Sequence, residues 1–136
     1  MTGVQTCALP IYSGESNQSA QAIAIGNNAG NNTQGYHSVA MGHYAGYYNQ
    51  GQHAVAIGDS AAEYYQGYGA VALGSFAGYE QGDYSVSIGY ESGARDGYSS
   101  LGQYQVALGY RASYEDRKST RLNSSHIPLS RMPSSA

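Results

Sequence analysis

Apolar residues in this chain come in short bursts of alternation, each closed by glycine and followed by a longer polar run. Between Ser38 and Gly74 the sequence reads SVAMGHYAGYYNQGQH, then AVAIGDSAAEYYQGYG, then AVALG. Each unit opens with a small residue, a β-branched residue, Ala, a larger aliphatic and Gly, and closes on Gln-Gly and a two-residue lead into the next. Copies begin at Ala22, Ser38, Ala54, Ala70, Ser85 and Gln105, with the first three spacings equal to sixteen residues. A fixed period of this kind specifies one structural unit stacked on the next, and it outranks any local helix or strand preference. Copies four and five are one residue shorter in the polar half, and copy five also carries an insertion near Ser100 to Tyr104. Length changes confined to the polar half mark it as the loop side.

The alternation itself predicts strands. Residues two apart share a face of a strand, so Val55 and Ile57 point one way while Ala54 and Ala56 point the other. The bulky set recurs as Ile23/Ile25, Val39/Met41, Val55/Ile57, Val71/Leu73, Val86/Ile88 and Val106/Leu108, opposite a uniformly small set. Glycines recur at two fixed phases, suiting corners that need positive φ or close backbone approach. Helix is excluded by the lack of any apolar three-to-four spacing and by glycine density. The predicted fold is all-β: a β-solenoid of about six stacked 15–16-residue coils, each with two strands.

Such a coil has one bulky face too many. With the small face inward, the Val/Ile stripe stays uncovered along the rod, and the simplest cover is the same stripe on identical chains with closed symmetry. With the bulky face inward, the stripe fills the coil and the small face becomes surface. Both arrangements satisfy the alternation.

The chain ends stand outside the repeat. Residues 1–11 (MTGVQTCALPI) and 116–126 (DRKSTRLNSSH) correspond to two DNA strings that are reverse complements, and these resemble a common short-read sequencing adaptor; residues 130–136 (SRMPSSA) resemble the next adaptor segment. Residues 1–11 and 116–136 are therefore set aside from fold reasoning, leaving 12–115 as a repeat domain expected to begin and end within a coil. All three prolines, Cys7 and Lys118 fall in the excluded ends. Residues 12–115 keep all fifteen tyrosines and hold eight acidic residues against Arg95 and Arg111. That acidic balance argues against a nucleic-acid partner, which needs a basic surface. No apolar run is long enough to insert into a membrane.

Candidate chemistry is sparse. His37 and His53 share a phase and are expected within about one strand spacing, about 4.8 Å, but Gly69 and Tyr84 follow in that phase, too few ligands for a metal. His43 has no histidine in its phase, and Asp59, Asp83 and Asp96 occupy three different phases, against a periodic calcium ladder. Neither a nucleophile elbow nor a phosphate loop nor a paired-carboxylate motif is present. No enzymatic activity, metal or cofactor is expected. Two ladders do recur. Gln18, Gln34, Gln50, Gln66 and Gln81 are placed to stack as amides along the rod. Tyrosines crowd the loop half, with Tyr44, Tyr47, Tyr48, Tyr64, Tyr65, Tyr68 and Tyr79 the densest set. Rigid amphipathic rings suit recognition surfaces, and they equally suit packing on one another over thin coils.

The units SVAMGxxAGxxxQGxxAVAIG resemble the head repeat of trimeric autotransporter adhesins, the YadA-like left-handed β-roll. This chain departs from the common pattern in its sixteen-residue unit with Gln-Gly in the return half and in its tyrosine content. The resemblance implies a homotrimer outside the cell, on a bacterial outer membrane or a virion fibre, attaching to an extracellular protein or glycan. The twelve aliphatics would then pack the trimer and core, and the seven tyrosines would be the ligand-binding candidates. A structural spacer of a viral or phage fibre, carrying a tip domain elsewhere, is the alternative.

Overall fold

The structure, a computed structural model, describes residues 12–93 and 102–113. The terminal segments set aside above, and Arg95 and Asp96, lie outside the described residues. Among the described residues there are eleven short strands in two parallel sheets; the first ten alternate between the sheets, and the eleventh joins the same sheet as the tenth. One sheet contains β2 (Ile23–Ile25), β4 (Val39–Met41), β6 (Val55–Ile57), β8 (Val71–Leu73), β10 (Val86–Ile88) and β11 (Val106–Leu108). The other contains β1 (Ser16–Gln18), β3 (Asn32–Gln34), β5 (Tyr48–Gln50), β7 (Tyr65–Gln66) and β9 (Glu80–Gln81). The chain is thus a β-solenoid, in which each coil from β1 to β10 contributes one strand to each sheet.

Register follows the sequence period. Val39 pairs with Val55, Val55 with Val71 and Val71 with Val86, so every aliphatic lies beside its counterpart one coil away. The insertion within copy five leaves the ladder intact, since Val86 pairs with Val106 across it. Backbone bonds bind the coils in between as well, for example Val39 N to Ala54 O and Val55 N to Ala70 O, both 2.9 Å.

The small face is inside. Ala24, Ala40, Ala56, Ala72 and Ala107 are buried between the sheets, joined by Ala29, Ala45, Ala61 and Ala77 from the following turn. With only small side chains on one inner face, alanine methyls and one serine hydroxyl, the two sheets approach closely enough for a glutamine from the other to span the gap. Gln34, Gln66 and Gln81 are fully buried, and each donates through Nε2 to a carbonyl on the opposite strand: Ile23 O at 2.7 Å, Val55 O at 2.8 Å and Val71 O at 2.9 Å. The expected stacking along the rod is also made, from Gln18 to Gln34 at 3.2 Å, Gln50 to Gln66 at 3.2 Å and Gln66 to Gln81 at 3.5 Å. Between Gln34 and Gln50 the ladder skips a rung, and Gln50 Oε1 is buried without a partner among the described residues. Where Ser87 replaces alanine inside, Gln81 also donates to its hydroxyl at 3.2 Å, so the added polar group is satisfied.

None of the twelve aliphatics fills the coil. Ile23 (43% exposed), Ile25, Met41, Ile57, Ile88, Val106 and Leu108 are exposed, and Val39, Val55, Leu73, Val71 and Val86 are half-buried. They form two columns on the outer face of the six-stranded sheet. Of the two arrangements that the alternation allows, the chain adopts the one that leaves its stripe bare.

The corners are turned by left-handed residues at fixed phases. Gln21, His37, His53, Tyr84 and Tyr104 share φ near +60°, between 55° and 62°. Asn17, Thr33 and Asn49 do the same inside β1, β3 and β5, at 51° to 57°. A left-handed conformation is costly for residues with a Cβ, and here the coil-to-coil bonds on either side hold it in place.

Candidate functional site

The five-stranded sheet and the residues leading into its strands carry the densest group of tyrosines. Gln50 pairs with Gln66 and Tyr65 with Glu80, which sets Asn49, Tyr65 and Glu80 in one column along the rod. Beside it runs a second column, Tyr48, Tyr64 and Tyr79, whose rings follow one another at 5.9 Å and 4.7 Å between centroids. Between the two columns lies a shallow groove of about 260 Å³, lined by Tyr48, Asn49, Tyr64, Tyr65 and Glu80. Asn49's positive φ of 51° breaks the simple alternation of β5, so Gln50 turns inward while Tyr48 and Asn49 stay exposed.

Six of the seven candidate tyrosines come together here. Tyr48, Tyr64 and Tyr65 line the groove, Tyr79 packs on Tyr64, Tyr47 meets Tyr48 edge-on at 4.6 Å, and Tyr44 meets Tyr47 at 5.0 Å. Tyr65 stacks on no other ring among the described residues and is half exposed, at 52%. Tyr68 is elsewhere. It lies 5.3 Å from His53 and 5.3 Å from Tyr84, in a corner ladder that runs from His37 through His53, Tyr68 and Tyr84 to Tyr104. The sequence phase alone ends this ladder at Gly69; the neighbouring Tyr68 fills the gap, and a Cβ on Gly69 would sit 3.2 Å from the Tyr84 ring.

Electrostatics on the tyrosine sheet are negative. Burial, a hydrogen bond with Tyr64 and the charges of Glu63 and Glu80 push the Tyr79 phenol up to about 12. Arg111 is the only Lys or Arg among the described residues, and it is engaged with Glu91, whose carboxyl it holds below the usual range. His43, without a histidine in its phase, meets Asp59 in that same phase, Nδ1 to Oδ1 at 3.0 Å, with both side chains half exposed.

His37 and His53 stack at 5.0 Å with their planes 9° apart. Face-to-face imidazoles at this separation do not aim two nitrogens at one point. No group of three or more His, Cys, Asp or Glu side chains suited to a metal occurs among the described residues. Among the same residues no helix is long and apolar enough to cross a membrane.

Asn49 and Glu80 line the groove but are not among the tyrosine candidates that the sequence singles out. Their signal was the period: Tyr65 lies sixteen residues after Asn49, and Glu80 fifteen after Tyr65 in a shortened copy.

The fold and surface define a thin parallel β-solenoid with an aliphatic face and a tyrosine-bearing face on opposite sheets. No protein-family model, curated protein or solved structure matches the chain.

Proposed function

We propose that residues 12–115 are a segment of a surface-exposed trimeric adhesin head that binds an extracellular protein or glycan through its tyrosine-bearing sheet. The observation that carries this reading is the opposition of two unlike faces: twelve aliphatics, seven exposed and five half-buried, on the outer face of one sheet and a tyrosine groove on the other. Parallel sheets are normally covered on both faces, and a contiguous apolar patch along a whole rod marks an interaction site. Three copies that turn their aliphatic sheets to a common axis cover the stripe and leave the tyrosines facing outward. An extracellular setting, on a bacterial surface or a virion fibre, follows from the resemblance of the repeat. The role is attachment, not catalysis.

Replacing Tyr47, Tyr48, Tyr64 and Tyr65 by Ser tests it. Attachment to a matrix-protein or glycan array is expected to disappear while the circular-dichroism spectrum stays that of the parent chain, because interface energy concentrates in a few aromatic anchors. A second reading, a structural spacer of a fibre, draws on the continuous ring contacts from Tyr44 through Tyr47, Tyr48 and Tyr64 to Tyr79. Loss of folding in the quadruple variant favours this packing role. Full folding with undiminished attachment rejects the adhesive role and leaves the spacer.

A further inference from the structure

We infer that the groove between the two columns takes an organic cation of the quaternary ammonium class, a choline-type trimethylammonium group, with Tyr48, Tyr64 and Tyr65 as the aromatic walls and Glu80 as the counter-charge. The inference rests on the adhesive reading of this sheet and narrows its ligand to one chemistry.

Three features of the groove point there. Phenol rings attract cations through their negative faces, and clusters of them recognise quaternary ammonium groups. Tyr65 has no ring stacked on it among the described residues, so its faces are not taken up by aromatic neighbours, and it stands directly across from Glu80 on the adjacent strand. The Glu80 carboxylate has no cationic or hydrogen-bonding partner among the described residues; the only Lys or Arg there is Arg111, engaged with Glu91 in another phase. With Glu63 also acting on the neighbouring Tyr79, the field over the groove favours a positive ligand and opposes sulfated, phosphorylated or sialylated ones.

The shape separates ammonium types. The groove is shallow, with Tyr48, Tyr64 and Tyr65 all 37% exposed or more. A primary ammonium keeps its strong hydration in such an open place and gains little by leaving it. A trimethylammonium group carries its charge on apolar methyls, which gain from ring contact and lose no N–H hydrogen bonds.

The test is a titration of the full chain with choline chloride, followed by the ring resonances of ring-labelled tyrosine. Saturable shifts with a dissociation constant of about 1–10 mM are expected, and Tyr65→Ser or Glu80→Gln should each weaken binding about threefold or more. Tyr36→Ser, at an equally exposed tyrosine outside the groove, should leave it unchanged and serves as the folding-matched control. The neutral isostere 3,3-dimethylbutan-1-ol should give no saturable shift, and ethanolamine should bind more weakly than choline. Equal binding of the isostere, binding of ethanolamine as tight as that of choline, absence of any saturable binding, or indifference to Glu80→Gln and Tyr65→Ser in folded variants would each overturn the inference. The adhesive reading is tested separately. If the tyrosine quadruple variant loses attachment and choline neither binds nor competes, adhesion stands and the ammonium site falls. If choline binds as predicted while attachment never depended on these tyrosines, the site stands and the adhesive reading falls.

Discussion

Gln66 donates its side-chain amide across the coil to the carbonyl of Val55, eleven residues earlier, at 2.8 Å. This bond ties the two sheets together through a fully buried polar side chain in a core whose apolar part is alanine. The same Nε2 lies 3.2 Å from Ala70 O and 3.5 Å from Gln81 Oε1, so three acceptors converge on one donor group.

In a carboxylate at that position one oxygen keeps the donor from Gln50 Nε2, while the other faces three oxygens with nothing to donate and no cation nearby among the described residues. Gln66→Glu is therefore expected to cost about 3–5 kcal/mol at neutral pH, as an unpaired buried charge does. The folded state holds the new carboxyl protonated, raising its pKa above the unfolded value of about 4.3. Stability then falls as pH rises through that value and is partly recovered below it. Urea midpoints at a series of pH values measure this, and equal midpoints across the acid range would contradict the buried ladder.

Gly58 and Gly109 occupy the same phase with different neighbours. Both have strongly positive φ, 135° and 115°. A Cβ on Gly58 would lie 2.6 Å from the carbonyl carbon and oxygen of Gly74, whereas one on Gly109 meets nothing within 4 Å among the described residues. Gly109→Ala should cost only backbone strain, about 1–3 kcal/mol. Gly58→Ala should cost more, because a backbone clash between coils adds to the same strain. Equal denaturant midpoints for the two variants would show that the coils can part at no cost.

Ile57 is 39% exposed on the bare sheet. Ile57→Asp is expected to leave the thermal transition of the isolated chain within about 0.5 kcal/mol, as for other surface changes. In a trimer packed through this face it places a charge where burial is heavily penalised. Sedimentation should show assembled parent chain and dispersed variant. A parent that is already monomeric at micromolar concentration would refute assembly through the stripe.

The Tyr79 phenol, pushed up to about 12, titrates near 10 when unfolded. Between those values the folded chain keeps a proton that the unfolded chain has lost, so stability falls as pH rises from about 10 to 12 and is untouched below. Tyr79→Phe should flatten that slope, read from denaturant midpoints alongside an ultraviolet phenolate titration. A slope unaltered by the substitution would place the alkaline sensitivity in other tyrosines.

The sequence by itself determined whatever depends on the period alone. In a solenoid, residues one period apart become neighbours, so Val55 beside Val71, Gln50 beside Gln66 and His37 beside His53 were legible before any coordinates. The same arithmetic already contained Asn49, Tyr65 and Glu80 as one column. What the period leaves open is how the chain crosses from one sheet to the other within a coil. That path runs through left-handed corners, several of them at residues such as His53, Thr33 and Asn49, where no glycine announces a turn. Only the tertiary structure therefore decided that alanine and glutamine fill the coil, that the Val/Ile stripe faces out, and that Tyr68 steps into the place left by Gly69 beside His53 and Tyr84. The physical reason is volume: methyl groups let the sheets approach to within the reach of one glutamine side chain, and no room remains there for valine or isoleucine.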